Sequence, residues 1–174
     1  MAYEPWRPGM GVTANRLLSI SPTWQSWTPV WSTSTGNAVP AFGDADVACR
    51  YAVAGTTCWG HFNVSFGSTT SFGASPTTAD NWLFSLPLTG ASLQEAIGWV
   101  EINQSTTHRV MCRMRMLTTG AFGLETSSGS PDGAALSAAG LVDAVTPWNN
   151  GAGTPVGDWA SGDMIRGTFC YELA

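Results

Sequence analysis

Residues that commonly carry out catalysis are scarce in this chain. His61 and His108 are the only histidines among 174 residues, and neither lies beside a nucleophile signature such as G-x-S-x-G. The 12 acidic residues leave room for a carboxylate pair of the glycosidase type. However, most of them stand in turn contexts, such as Asp132 and Asp163, where hydrogen bonding within the turn explains them. We therefore predict a protein that is not an enzyme and that needs no cofactor, with a cell-wall hydrolase as the enzymatic alternative.

Metal-binding patterns are equally weak. The string GDAD over 43–46 has two alternating aspartates that could contribute to a calcium site. A calcium loop also needs a specific glycine and a distal glutamate, which are absent, so a turn or strand edge is favoured. The cysteines form no CxxC pair and show no zinc-ligand spacing. Because no leader sequence is visible, we expect them to be reduced residues of an apolar core. They are Cys49, Cys58, Cys112 and Cys170.

The charge and the hydrophobic pattern of the chain argue against nucleic acids and membranes as partners. The seven basic residues are all arginine, and the formal net charge is -5 with a pI near 4.7, which argues against nucleic-acid binding. No apolar run approaches the roughly 20 residues of a membrane-spanning helix. Three arginines, Arg109, Arg113 and Arg115, share one side of an alternating run. We expect them to pair with carboxylates of a neighbouring strand or protomer. The sequence leaves two alternatives for this surface, a solvated strand face and a subunit contact.

The nine tryptophans suggest either a large aromatic core or sugar binding. Trp27, Trp31, Trp82 and Trp99 stand at period-two positions, which indicates a core or an inter-subunit seam. Trp148 and Trp159 lie in a Gly/Pro-rich segment and are predicted to be exposed ligand contacts.

Hydrophobic alternation with period two dominates the chain from residue 24 onward. In CWGHFNVSF, for example, Cys58, Phe62, Val64 and Phe66 share a face opposite His61. The string QEAIGWVEI predicts a strand that is buried on both sides. Residues 137–161 are predicted to be the longest irregular region. The pattern predicts an all-β protein, an antiparallel, jelly-roll-like β-sandwich of about eight strands.

The first 23 residues differ from the rest. Prolines and glycines break regular structure there, and Thr13 can cap a short helix over ANRLLSI of one or two turns. Such a helix is not stable alone, so it must dock on something. We predict an N-terminal anchoring arm over 1–23 and a β-sandwich domain over 24–174.

Several strings resemble a β-domain that recurs in virion proteins of tailed bacteriophages, especially phages of actinobacterial hosts. They are PTWQSWTPVWSTSTG, FGSTTSFG, NWLFSLP and WASGDMIRGTFCYELA, with PGMGVTANRLLSI resembling the short segment that often precedes such domains. The resemblance implies a symmetric appendage, a homotrimer for example, held to the particle by its N-terminal segment. The shaft of a long tail fibre is absent, which favours a protein of the capsid surface.

These observations together predict a capsid decoration or minor capsid protein on the virion surface, assembled in the cytoplasm of a bacterial host. Its expected partners are the major capsid protein or another virion protein and further copies of itself. The alternative is a tail-fibre or tail-tip module that binds a host surface glycan. The predicted particle-anchoring residues are Trp6, Arg7, Met10, Thr13, Arg16, Leu17 and Leu18.

Overall fold

The structure is a computed structural model that describes residues 8–11, 13, 21–37, 39–73, 80–92, 96–104, 108–126, 140–142 and 159–174. This part of the chain contains eleven β-strands and no helix, which confirms the all-β prediction and exceeds the eight strands expected. The strands are β1 Gln25–Trp27, β2 Trp31–Thr33, β3 Asp46–Val47, β4 Cys49–Ala54, β5 Thr57–Ser65, β6 Trp82–Ser85, β7 Ala96–Gln104, β8 His108–Thr118, β9 Ala121–Thr126, β10 Gly140–Leu141 and β11 Met164–Glu172.

The strands form one antiparallel sheet in the order β1-β4-β5-β11-β7-β8-β9-β6-β2, with β3 beside β5 and β10 beside β9. The sheet curls until its far strands face each other. Four strands lie between β5 and β6 in the sheet, yet the ring centroids of Phe62 in β5 and Phe84 in β6 are 4.9 Å apart. A single hydrophobic core therefore fills the space that the curled, sandwich-like sheet encloses.

Period-two alternation places the core residues as predicted in the best-patterned strands. In β5, Cys58, Phe62 and Val64 are fully buried, whereas His61 is exposed. β4 and β5 form a tight hairpin in which Gly55 takes a φ of 60°, a conformation that glycine adopts without steric cost. Sequence alternation therefore fixes which face of these strands is buried.

Aromatic rings occupy one end of the core. Trp31 and Trp82 are buried, as predicted, and meet edge to face with centroids 4.7 Å apart. Trp27 is half-buried, and its ring contacts Phe62 and Phe169. Three of the tryptophans predicted for the core are therefore packed against it.

β7 differs from its prediction, because only one of its faces is buried. Its register against β8 shifts between Ala96 and Gly98, and beyond this bulge Val100 and Ile102 point into the core. Trp99 points outward and is 57% exposed, so of the two alternatives predicted for it the core is wrong, and the inter-subunit seam stays a prediction. The outward residues beyond the bulge are Trp99, Glu101 and Asn103, so Trp99 is the apolar exception on the outward side of the strand.

Two other expectations concern irregular segments. The prediction that 137–161 is irregular is wrong at Gly140–Leu141, where β10 pairs with β9. The Val142 N–H after this strand donates to the Leu124 carbonyl at 2.7 Å. The helix predicted over 14–20 lies outside the described residues.

Gly167 provides a test of how closely β7 and β11 approach each other. A Cβ at this position would overlap the Trp99 carbonyl oxygen and come within 2.6 Å of the Val100 Cα, so the obstacle is backbone that cannot rotate away. We expect Gly167→Ala to lower the free energy of unfolding by about 1–3 kcal/mol, measured by urea denaturation. Gly120→Ala is the matched control, because nothing lies within 4 Å of its Cβ, and it should change stability by less than about 0.5 kcal/mol. Equal stabilities of the two variants would contradict this packing.

Candidate functional site

The outward side of the sheet is the most distinctive surface of the described chain. We call the outward-pointing residues of β4, β5, β7, β8, β9 and β11 the outer face. Cross-strand pairing aligns one row of side chains across all six strands. In order across the sheet, this row is Arg50, His61, Thr168, Trp99, Arg113 and Glu125.

The outer face carries positive charge in an acidic protein. All five described arginines lie on it, together with three glutamates, which gives a formal charge of +2. The remainder of the chain then has two arginines and nine acidic residues, a formal charge of -7. The arginines are Arg50, Arg109, Arg113, Arg115 and Arg166, and the glutamates are Glu101, Glu125 and Glu172.

One carboxylate holds two of these arginines. Arg113 donates from Nε to Glu125 Oε2 at 2.8 Å, and Arg115 donates from Nη1 to Glu125 Oε1 at 3.2 Å. Glu125 is 7% exposed, whereas the two arginine side chains are 42% and 38% exposed. These contacts agree with the expected pairing to a neighbouring strand. Arg109 is exposed at the start of the same row of outward residues on β8, and a subunit contact through the three arginines stays a prediction.

Two large apolar side chains sit in the middle of this charged surface. Trp99 is 57% and Met111 63% exposed. Met111 lies opposite Glu101, two residues along β7 from Trp99, so the two apolar residues are diagonal cross-strand neighbours. We call this pair the Trp99–Met111 patch. Sequence alternation alone identifies both residues as outward-pointing once β7 is known to have one buried face.

A second tryptophan borders the same surface from the N-terminal side. Trp24 is 43% exposed, and its ring lies 4.9 Å from that of His61, centroid to centroid. The Arg50 guanidinium lies over the Trp24 ring at 5.7 Å, a cation–π arrangement. The chain segment that precedes β1 therefore joins the body on its outer face.

Trp159 is not the exposed contact that its loop composition predicted. It is 7% exposed and stacks on Trp82, with centroids 4.4 Å apart. The following turn directs it inward, because the Asp163 carboxylate is buried there and accepts a hydrogen bond from the Ala160 N–H at 2.9 Å. Trp148, the other predicted ligand contact, lies outside the described residues.

Most of the predicted particle-anchoring residues also lie outside the described part, namely Trp6, Arg7, Arg16, Leu17 and Leu18. Met10 is half-buried and Thr13 is exposed. Their role as anchors stays a prediction.

Three of the four thiols are poorly suited to nucleophilic chemistry. Burial raises the pKa of Cys49 to about 11 and that of Cys112 to about 12, and it also raises the pKa of Cys58. These three cysteines are buried as predicted, whereas Cys170 is exposed, contrary to the expectation of a core position. A thiol with a raised pKa forms little thiolate near neutral pH, and the thiolate is the reactive form.

The described aspartates serve the local structure. Asp44 accepts hydrogen bonds from the backbone N–H and the hydroxyl of both Ser68 and Thr69, at 2.7 to 3.2 Å. These bonds, that from the Thr69 backbone foremost, lower the pKa of Asp44 to about 2. The string GDAD thus forms a turn and a strand edge, as favoured above. Over the described ranges, no three His, Cys, Asp or Glu side chains cluster to hold a metal ion. Nor does that part of the chain include a helix long and apolar enough to cross a membrane.

Comparison of the chain with protein-family models, with characterised proteins and with solved structures finds no match.

Glu125 is the residue on which the arginine pair depends. Glu125→Gln should lower the free energy of unfolding by about 1–3 kcal/mol, because it leaves Arg113 and Arg115 close together without a shared anion. Urea denaturation at neutral pH measures this. Glu172→Gln on the exposed end of β11 serves as the control and should be near neutral. If both variants unfold like the wild type, the pairing has no energetic role.

The lowered pKa of Asp44 predicts that the stability of the fold decreases in acid. Its folded-state pKa of about 2 lies below the ordinary 3.8, so its hydrogen bonds stabilise the fold above pH 3.8 and this contribution is lost as the pH falls towards about 2. Over this window the free energy of unfolding should fall more steeply in the wild type than in Asp44→Asn. Val39→Ala, at an exposed residue that does not titrate, is the control and should keep the wild-type slope. Identical slopes for all three proteins would show that the Ser68–Thr69 contacts do not favour the carboxylate.

Proposed function

We propose that the protein is a structural component of a bacteriophage particle, a capsid decoration or minor capsid protein that acts by binding and not by catalysis. The observation that supports it best is the outer face, where Trp99 and Met111 are exposed among all five described arginines. Tryptophan, methionine and arginine are the residues that protein interfaces favour. The resemblance of the quoted strings to phage virion β-domains supplies the biological context.

The shape of this surface favours contact over turnover. It lies on the side chains of regular strands, which present a broad face and not a cleft lined by converging polar groups. Several of the groups that could act as acids or nucleophiles are held in structural contacts or buried. Glu125 is held by two arginines, Asp44 by a loop, and the buried cysteines have a raised pKa. A binding surface needs none of these groups to react.

The arm and the outer face are suited to act together. Trp24, directly before β1, packs its ring beside His61 on the outer face. An arm over 1–23 that attaches to the particle would therefore hold the body near this face. In this proposal the arm supplies attachment to the major capsid protein or another virion protein, and the body stands on the capsid surface as a symmetric oligomer. The arm residues that carry attachment are Trp6, Arg7, Met10, Thr13, Arg16, Leu17 and Leu18.

A second candidate function is glycan recognition at a tail tip. The specific observation in its favour is Trp99, whose exposed indole is flanked across the neighbouring strands by Thr168 and Arg113. An aromatic ring beside hydrogen-bonding groups can stack on a sugar. In this second candidate function Trp99 is the ligand contact, which is the role that the sequence analysis predicted for Trp159. Loss of host-cell adsorption in Trp99→Ala, with the protein found only at the tail, would favour it.

Deletion of residues 1–22 tests the attachment. The shortened protein should fold, because β1 and all later strands are retained, yet it should fail to join particles that lack the native protein. Its occupancy should fall to background while full-length protein restores it, measured by labelling of purified particles and by quantitative gel analysis. Label spread over the head is the expected location for the full-length protein.

The control is a full-length chain with Val39→Ala, an exposed apolar residue outside the arm and the outer face, which should attach normally. Full occupancy by the shortened protein would refute the anchoring role of the arm. Label confined to the tail would refute the capsid assignment and support the second candidate.

A further inference from the structure

β1 and β2 follow each other in the sequence but lie at opposite ends of the sheet. β1 pairs with β4 at one end of the strand order, and β2 pairs with β6 at the other end. Only residues 28–30 separate the two strands. A strand that passes from one sheet layer to another is one way in which a β-sandwich forms a corner. This stretch therefore connects the two ends of the curled sheet.

Burial shows that residues 24–33 form one extended unit. The inward residues, buried or half-buried, are Trp27, Pro29, Trp31 and Thr33. Thr28 and Val30 between them are exposed, so the alternation of a single strand continues through the link. The ring of Pro29 fixes its own φ and confines Thr28 before it to extended conformations. The link is therefore stiff, unlike a flexible loop.

We infer that residues 24–33 act as a clasp, a single stretch that closes the curled sheet and joins the N-terminal segment to the body. In this inference β1 and β2 open and close together, although they belong to opposite ends of the sheet. The clasp is a property of the fold and does not depend on a particle. Its meaning for attachment rests on the proposed function, in which the arm over 1–23 continues directly into the clasp.

Two tryptophans hold the near end of the clasp from the two faces of the sheet. Trp27 points inward, where its ring centroid lies 6.2 Å from that of Phe62 and 5.7 Å from that of Phe169. Trp24 points to the opposite side, where its ring centroid lies 4.9 Å from that of His61. Because Phe62 and His61 are neighbours on β5, this strand lies between two indole rings.

The contact of Trp24 on the outer face is well packed. The Arg50 guanidinium lies over the Trp24 ring at 5.7 Å. Ala52, two residues along β4 from Arg50, shares the outer face yet is fully buried. Trp59 stands opposite Ala52 on β5, and Trp24 is one step beyond the pair of Gln25 with Tyr51, beside Ala52 on the other side. Removal of the Trp24 ring should therefore weaken the near end of the clasp.

The far end of the clasp is fixed to β6 by backbone hydrogen bonds. The Val30 N–H donates to Ser85 Oγ, and the Ser85 N–H donates to the Val30 carbonyl, both at 2.9 Å. Just beyond β2, the Ser34 N–H donates to the Asn81 carbonyl at 2.9 Å. The amides of Ser34 and Ser85 therefore report whether the far end is closed.

A clasp of this kind determines how force on the arm reaches the body. The arm continues into a strand that is paired with β4 and held in the core by Trp27, whereas a surface loop would transmit little. In the proposed function, attachment through the arm then fixes the orientation of the whole body. Movement of the near end reaches β2 and β6 through the stiff link.

Amide hydrogen exchange of the purified full-length protein, followed residue by residue by NMR, tests the clasp. Trp24→Ala should speed exchange of the protected β1 amides at least about tenfold, because it removes the outer contact. The Ser34 and Ser85 amides should become faster by a similar factor, although they lie at the other end of the strand order. Amides of β7 and β8, in the middle of the sheet, should change less than about twofold.

Trp99→Ala is the matched control, because Trp99 is another half-exposed indole of the outer face but lies on β7. It should leave the Ser34 and Ser85 amides within about twofold of the wild type. A second variant has two glycines inserted between Thr28 and Pro29, which makes the link flexible. With this insertion, Trp24→Ala should still speed the β1 amides but should no longer affect those of Ser34 and Ser85.

Several results would overturn the inference. If Trp24→Ala speeds the β1 amides alone, β1 opens independently of β2. If it speeds every amide equally, the protein unfolds as a whole and the clasp is not a separate unit. If it changes no amide, Trp24 does not hold the near end. Coupling that persists after the glycine insertion would show that it does not pass through the link.

These outcomes are separate from particle attachment. The protein that lacks residues 1–22 retains Trp24, so its Ser34 and Ser85 amides should exchange as slowly as those of the full chain. Failure of that shortened protein to join particles, with the clasp intact, would support the arm as the attachment site. Full occupancy would refute the anchoring role and leave the clasp unaffected.

Discussion

The packing of aromatic rings in the core is the constraint on which the rest of the structure depends. Trp31, Trp82, Trp159, Phe66 and Phe72 are separated in the sequence, yet nine of the ten pairs among them have ring centroids 4.4 to 6.3 Å apart. They come from β2, β6, the end of β5 and the segments around them. An antiparallel sheet of this width needs a filled interior in order to curl, and these rings provide the volume.

This packing has a polar cost. The indole N–H groups of Trp31 and Trp82 are buried and have no hydrogen-bond partner, alone among the buried polar side-chain atoms of the described residues. An unsatisfied donor costs about 1–3 kcal/mol. Burial of a tryptophan removes roughly 150–250 Å² from water, which at about 25 cal/mol per Å² contributes about 4–6 kcal/mol. The apolar contribution therefore exceeds the polar cost at both positions.

The sequence predicts the parts of the fold that follow from local alternation. β5, β6, β8 and β11 each have one buried and one outward face, so their core residues are evident from spacing two. β7 is harder to predict in this way, because its register shifts at Gly98 and the first outward residue beyond the bulge, Trp99, is large and apolar, although the later outward residues Glu101 and Asn103 are polar. The buried position of Trp159 is also not predicted by alternation, for a different reason. Loop composition shows that a segment is irregular but does not show where its largest side chain packs.

The site was only partly predictable for the same reason. Alternation on β8 identified Arg113 and Arg115 as outward-pointing, but their shared partner Glu125 depends on the register between β8 and β9. The central position of Trp99 depends on the order β5-β11-β7-β8, which joins strands about 100 residues apart. Strand order of this kind follows from non-local packing and has no signature in a short stretch of sequence.

The distribution of charge ties the core to the surface. Because one face of the sheet is committed to the aromatic interior, every charge on these six strands must lie on the other face, and the five described arginines are all there. The loops instead satisfy their carboxylates locally, as Asp44 does with Ser68 and Thr69. A chain with only 11% charged residues thus gathers eight of its 19 charged residues on the outer face, around Trp99 and Met111. The concentration of the described arginines on one surface is a result of the same constraint that commits the other face to the core.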